Sequence, residues 1–142
     1  MSHIELRDLH DDDRDAAFSA ARASGSAWPR AAFDDRSSFD AWTARADVVA
    51  QVIVEDAAVV GVAAAMDVEG DREILLAVSP DADDDAPTEA LRLLTAHEAE
   101  RPLYACVAAS DHPAHDVLAR IGFVEHARDG ADVVYVLPPT LE

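Results

Sequence analysis

Lysine is absent from this sequence, and basic residues of any kind are few. The chain has 142 residues, and all 11 of its basic residues are arginines, against 20 aspartates and 9 glutamates, so the formal net charge is -18. A surface this acidic repels nucleic acid and anionic membrane headgroups, and we expect neither as a partner. The same charge favours a cationic partner, such as a small amine or a basic peptide.

Cysteine and long apolar runs are equally scarce. The single cysteine, Cys106, excludes an intramolecular disulfide, and the N-terminal residues lack the layout of a secretion signal, so we expect a cytoplasmic location. The longest apolar run, residues 57–66, is far shorter than the roughly 20 residues that span a bilayer. A composition of 50% apolar and 28% charged residues is typical of a globular protein. We therefore expect one folded domain over residues 1–142, as a monomer or a homodimer.

Alternating and aliphatic segments predict seven strands, and four further segments have the caps and spacing of helices. In chain order these are a strand at 4–7, helices at 14–23 and 34–46, strands at 48–54, 59–66 and 72–78, a helix from 87 to about 100, a strand at 103–108, a helix at 112–121, and a hairpin of 123–128 with 133–137. The order β-α-α-β-β-β-α-β-α-β-β predicts an α/β (α+β) fold, with a mixed sheet and helices on both of its faces.

Three motifs resemble those of the GNAT superfamily of acyl-CoA-dependent N-acyltransferases. Residues 56–61, DAAVVG, are similar to a turn and the third strand; residues 75–80, LLAVSP, resemble the fourth strand; and residues 118–123, LARIGF, are similar to a helix that ends in Gly-Phe. The resemblance covers essentially the whole chain. It implies a GNAT-like, mostly antiparallel sheet and transfer of an acetyl group from acetyl-CoA to an amine.

The resemblance also implies where acetyl-CoA binds, namely along the fourth strand and in the loop after Pro80. The matching positions are Ala77, Val78, Asp83, Asp84, Asp85, Ala86 and Thr88. Members of the family carry Arg/Gln-x-x-Gly-x-Gly/Ala here, so that backbone N–H groups can approach the pyrophosphate. Aspartates in this loop repel a polyanion by about 1 kcal/mol for each close contact, even in water. The alternative is therefore a GNAT-fold protein that no longer binds CoA and serves as a ligand-binding or interaction module.

The catalytic positions that the resemblance implies are only partly filled. Many members use a tyrosine to protonate the departing thiolate, but Leu118 occupies that position and has no proton to donate. Glu73 matches a position at which some members carry a general base. Strand alternation places it on one face with Leu75 and Ala77. The alternative is a solvated carboxylate at the end of a strand.

Aromatic residues concentrate in the two-helix region that, in the resembling family, shapes the pocket for the acceptor. Trp28, Phe33 and Trp42 could contact an apolar or cationic amine there. The alternative is that these rings pack the helices against the sheet.

Two clusters have the residue types of metal ligands, but we predict no metal site. The aspartates of residues 81–85 lack the pattern of an EF-hand, and a solvated loop with Asp85 capping the next helix explains them. His112, His115 and His126 could approach one another, although a surface pair of histidines on a helix explains the first two. Cys106 has the setting of a buried small hydrophobe.

Overall fold

The computed structural model describes residues 3–23, 35–98 and 101–139. The seven strands are β1 (Ile4–Asp8), β2 (Val48–Glu55), β3 (Ala58–Val68), β4 (Asp71–Val78), β5 (Leu103–Ala108), β6 (Val124–Asp129) and β7 (Asp132–Leu137). The helices are α1 (Arg14–Ala23), α2 (Arg36–Thr43), α3 (Ala86–His97) and α4 (His112–Ile121), and a short 3-10 turn, Asp11–Asp13, precedes α1. The element order predicted from the sequence is confirmed.

The strands form one sheet in the order β1-β2-β3-β4-β5-β7-β6. Every neighbouring pair is antiparallel except β4 and β5, which are parallel. Parallel neighbours need a crossover connection, and α3 supplies it between β4 and β5. The mixed, mostly antiparallel sheet is therefore as expected. No helix in the described part of the chain is both long and apolar enough to cross a membrane.

Each face of the sheet packs against two helices, which makes two hydrophobic cores. On one side, here called the α1 face, α1 and α2 contribute Ala17, Ala21, Phe39 and Trp42. On the opposite side, here called the α3 face, the core contains apolar residues of α3 and α4. Successive residues of β3 alternate between these cores, which is the period-2 pattern of a strand buried on both faces.

Several local predictions differ from the structure. Helix α2 is shorter than the predicted range of 34–46, because it begins after an Asp35 cap that accepts from the Ser38 N–H at 2.7 Å and ends at Thr43. Helix α3 begins at Ala86 and ends at His97, and the prediction that Asp85 caps it is wrong, since its side chain accepts no capping hydrogen bond.

Cys106, predicted to be a buried small hydrophobe, is less buried than expected. In β5 the residues Leu103, Ala105 and Val107 lie in the core of the α3 face. Alternation points Cys106 to the α1 face, where it is only half-buried because α1 and α2 pack over other strands.

An ion pair joins β1 to the 3-10 turn before α1. The guanidinium of Arg7 donates to both carboxylate oxygens of Asp13, at 2.6 and 3.0 Å, and the backbone N–H of His10 donates to the same carboxylate at 3.0 Å. These donors stabilise the charged form and lower the pKa of Asp13 to about 2. The pair stabilises the position of α1 on the sheet.

The β2–β3 hairpin turns through two residues without glycine. Asp56 and Ala57 have φ angles of 48° and 74°, as a two-residue hairpin loop of type I′ requires. Alanine in this left-handed region costs roughly 1–2 kcal/mol through contact between its Cβ and the backbone.

Candidate functional site

Strands β4 and β5 pair at only two positions and then separate. The paired positions are Arg72 with Leu103 and Glu73 with Tyr104. Beyond them, residues 74–78 and 105–108 form no ladder with each other, which leaves an opening that we call the β4–β5 cleft. Backbone groups along the edge of β4 remain available there, and an extended ligand can bind such an edge as an added strand.

The open end of this cleft leads into the loop before α3. The N–H of Ala86 is used by the carbonyl of Asp83, at 2.9 Å, and residue 87 is a proline without an N–H. Within residues 35–98, the N–H groups of Asp84, Asp85 and Thr88 have no acceptor. Unpaired N–H groups at the start of a helix are suited to an anion, and here three remain despite the loss of the family's glycines.

The chain's own carboxylate occupies one donor of this loop. Glu55, at the end of β2, accepts from the N–H of Asp83 at 3.0 Å. This hydrogen bond holds the loop against the sheet through an acidic side chain. It lies at the position where the resembling family binds a polyanion. The carboxylates of residues 83–85 are all exposed, so salt screens their repulsion of an anion.

A cavity of about 560 Å³ lies beside the first turns of α3. Residues that line it include Asp83, Asp85, Ala86, Thr88, Arg92 and Arg120. The structure thus brings together four of the predicted loop positions and adds two arginines that the sequence motifs did not indicate. Residues 85, 88 and 92 are spaced three and four positions apart, as neighbours on one face of a helix are, and this spacing could have identified Arg92.

Two polar side chains that line this cavity differ in their hydrogen bonding. Arg92 forms an ion pair with Glu89, one turn away on α3. The hydroxyl oxygen of Thr88 is buried and has no hydrogen-bond partner among the described residues. A buried hydroxyl without a partner costs free energy, and a ligand atom bound nearby could satisfy it.

Glu73 lies on the α1 face of β4, as the alternation predicts. Leu75 and Ala77, which share its face, are part of the core beneath α1 and α2. The Glu73 side chain is half-buried and has no hydrogen bond or ion pair within the described part of the chain. Burial, with a smaller contribution from the charge of Asp71, raises the pKa of Glu73 above its ordinary value. A carboxylate with a raised pKa is better matched to taking up a proton near neutral pH.

The three aromatic residues proposed for the acceptor pocket are not equally described. Trp42 is 8% exposed and packs against Phe39, with ring centroids 6.4 Å apart. This burial favours its role in packing α2 against the sheet. Trp28 and Phe33 lie outside the described residues.

The histidines considered as metal ligands lie on different faces of the sheet. The rings of His112 and His115 have centroids 6.2 Å apart, whereas His126 contacts Tyr104. His115 is hydrogen-bonded to the hydroxyl of Tyr135 on the α3 face. No group of three metal-ligating side chains is found in the described ranges.

Leu118 is fully buried in the core of the α3 face. It has no polar atom, so the structure offers no acid at the position where the resembling family carries its tyrosine. The motifs also did not indicate Tyr104, which β4–β5 pairing places beside Glu73. Only the parallel register between two distant strands could have found it.

Solved acetyltransferases share this architecture at low sequence identity. The N-acetyltransferase PseH of Campylobacter jejuni, in complex with acetyl coenzyme A, aligns with a TM-score of 0.72 and 16% identity, over 97% of this chain and 100% of that chain. RimJ of Mycobacterium smegmatis, in complex with CoA-disulfide, aligns with a TM-score of 0.73 and 19% identity, over 95% of this chain and 81% of that chain. A probable acetyltransferase of the GNAT family from Chromobacterium violaceum aligns with a TM-score of 0.72 and 19% identity, over 95% and 82%.

The chain therefore has the fold of the GNAT acetyltransferases, and the fold implied by its three motifs is confirmed. No protein-family model matches the sequence, and no curated protein matches it.

Proposed function

We propose that the protein is an acetyl-CoA-dependent N-acetyltransferase that acts on a small amine or a basic peptide. The observation that carries this proposal is the β4–β5 cleft, since β4 stops pairing with β5 after Glu73 and Tyr104. The pantetheine arm of CoA is an extended chain with two amide groups, and the free edge of β4 offers it hydrogen bonds through the backbone of Val78, whereas the backbone groups of Ala77 face β3. Neighbours of this fold have been solved with acetyl coenzyme A and with CoA-disulfide.

The loop before α3 is the proposed site for the pyrophosphate. The N–H groups of Asp84, Asp85 and Thr88, which have no acceptor among the described residues, would donate to its oxygens, at the positive end of α3. The three nearby aspartates repel the pyrophosphate, but salt screens this repulsion because their carboxylates are exposed to solvent. Acetyl-CoA therefore fits as a cosubstrate, although with fewer donors than a glycine-rich loop would supply.

Glu73 is the proposed general base. It takes a proton from the substrate ammonium, directly or through a water molecule, and the neutral amine nitrogen attacks the thioester carbonyl. A C–N bond forms, the C–S bond breaks, the thiolate leaves, and the nitrogen of the new amide releases its remaining extra proton to water. Because Leu118 cannot donate a proton, the thiolate receives its proton from water or from the protonated Glu73.

Calorimetry with acetyl-CoA, followed by an assay of thiol release with small amines, tests the proposal. We expect micromolar binding by the wild-type protein and by Glu73→Gln, and a loss of transfer rate of about 100-fold or more in Glu73→Gln. Glu69→Gln is the matched control, because Glu69 is an exposed carboxylate in the β3–β4 turn. Absence of binding at millimolar acetyl-CoA would overturn the proposal.

A second candidate function is a GNAT-fold binding module that does not take CoA. The specific observation in its favour is that Glu55 already occupies the N–H of Asp83, in a loop that also lacks an N–H at Pro87. The triple variant Asp83→Arg, Ala86→Gly, Thr88→Gly restores the family's loop residues. Binding of acetyl-CoA by this variant but not by the wild-type protein would favour the second candidate.

A further inference from the structure

Glu73 lies in a row of side chains that crosses the α1 face of the sheet. The backbone register pairs Val48 with Met66, Met66 with Glu73, and Glu73 with Tyr104. Residues paired in this way point to the same face and lie side by side. Glu73 is the one charged member of this row, between a methionine and a tyrosine that are both half-buried.

The charge of Glu73 has no counter-ion in the described structure. Arg72 is its neighbour in sequence, but strand alternation turns Arg72 to the other face, where it donates to Glu98 at 3.0 Å and to Asp67 at 3.2 Å. Asp71, the other nearby charge, is also negative. Withdrawing a carboxylate from water without a cation is unfavourable, so a cation that binds here would gain the missing interaction.

Tyr104 supplies an aromatic surface beside this carboxylate. Its ring meets the ring of His126 edge to face, with centroids 5.9 Å apart and planes inclined at 62°. Such an edge-to-face arrangement is a favoured one between aromatic rings and stabilises this orientation of the tyrosine ring. A cation above the face of an aromatic ring is attracted by its quadrupole, and the ring also covers the alkyl carbon next to an ammonium nitrogen.

We propose that Glu73 and Tyr104 form a binding subsite for a primary alkylammonium group, at the point where the β4–β5 cleft closes. The carboxylate pairs with the ammonium charge, the tyrosine ring lies against its alkyl carbon, and the contact with His126 stabilises the orientation of the ring. The proposal rests on the proposed function only in identifying the bound ammonium as the acetyl acceptor. It specifies the acceptor as a cationic primary amine on an alkyl chain and adds Tyr104 as a specificity-determining residue.

Titration with n-butylammonium chloride, followed by amide chemical shifts at low ionic strength without acetyl-CoA, tests this subsite directly. Uncharged 1-butanol is the matched probe. We expect shifts around Met66, Glu73 and Tyr104, and an affinity for the ammonium at least tenfold higher than for the alcohol. Glu73→Gln lowers that affinity about tenfold, and Tyr104→Leu lowers it about three- to tenfold. Tyr104→Phe keeps the ring and regains most of the affinity that Tyr104→Leu loses.

Glu69→Gln is the control for a general loss of negative charge, since it removes the same charge from an exposed turn. Equal weakening by Glu69→Gln and Glu73→Gln would overturn the subsite, as would unchanged affinity in Tyr104→Leu or equal binding of 1-butanol. Far-UV circular dichroism establishes that each variant is folded.

Acetyl-CoA binding, measured on the same proteins, separates the two proposals. Ammonium binding that depends on Glu73 and Tyr104, without any acetyl-CoA binding, supports the subsite and overturns the transferase. If acetyl transfer occurs but ammonium binding does not depend on Tyr104, the subsite is overturned and the proposed transferase activity is supported.

Discussion

Replacing Gly61 with alanine tests how closely β3 approaches β4 at the wall of the β4–β5 cleft. Gly61 pairs with Val78, and a Cβ built on it would lie 2.3 Å from the carbonyl oxygen of Ala77 and 3.0 Å from the Cα of Val78. Both contacts are to backbone, so no side-chain rotation relieves them. An ordinary contact between carbon and oxygen is about 1 Å longer than the first, so the strands have to separate by a comparable distance.

The expected loss of stability depends on the contacts that this separation disrupts. The N–H of Ser79 donates to the carbonyl of Val60 at 2.7 Å next to the clash, and a shift of about 1 Å breaks such a bond. Forced overpacking costs roughly 1–3 kcal/mol, and a lost hydrogen bond about 0.5–1.5 kcal/mol. We therefore expect Gly61→Ala to lower the free energy of unfolding by about 2–3 kcal/mol and Tm by roughly 6–12 °C.

Thermal and urea unfolding of Gly61→Ala and Gly130→Ala provide the assay. Gly130 has a φ of 62° and open space around its Cβ position, so alanine there costs only the left-handed conformation, about 1 kcal/mol. Acetyl-CoA affinity should fall in Gly61→Ala, because Ala77 and Val78 move, and stay unchanged in Gly130→Ala. Equal destabilisation by the two substitutions would refute the close approach of β3 and β4.

Four further substitutions have defined outcomes. Asp13→Asn should cost about 1–2 kcal/mol at pH 7; because the folded pKa is depressed to about 2, the difference from wild type is full above pH 4 and disappears as pH falls through 2, which acid unfolding measures. Glu73→Gln should raise the free energy of unfolding at pH 7, since the raised pKa of the carboxyl makes wild-type stability fall as pH rises through it; nearly equal Tm values at pH 4 and a higher Tm of the variant at pH 7 are the signature. Ala57→Gly should add about 1 kcal/mol by relieving its φ of 74°, seen as a higher urea midpoint. Thr88→Val should not destabilise, and a gain of about 0.5–1 kcal/mol in thermal unfolding is expected because its hydroxyl has no partner in the part of the chain that the structure describes.

Most of the fold could be predicted because its signals are local. Alternation in β2, β3 and β4 and the caps of the helices are carried by residues a few positions apart, and they were enough for the element order. The ends of α2 and α3 were less accurate, since the last turn of a helix depends on which neighbours take its terminal backbone groups. Cys106 was misplaced because its neighbours in sequence, both apolar, lie on the opposite face of β5 from its own side chain.

The candidate site was only partly accessible to sequence reasoning. Motif positions led to Glu73 and to the loop at residues 83–88, and their roles stay predictions until they are measured. Glu55 was not indicated, because the N–H of Asp83 that it accepts from is 28 positions away. Arg120 and Tyr104 were missed for the same reason, since α4 and β5 reach the site through the packing of the whole chain.

By itself the sequence determined the acidic surface, the element order and the loop without glycine, because charge, periodicity and turn residues are properties of neighbouring positions. Only the tertiary structure decided that β4 and β5 separate after Glu73 and Tyr104, that Arg72 forms its ion pairs on the opposite face, and that the carboxylate of Glu73 has no counter-ion among the described residues. Those features depend on register and burial, which arise when strands distant in sequence pair and exclude water.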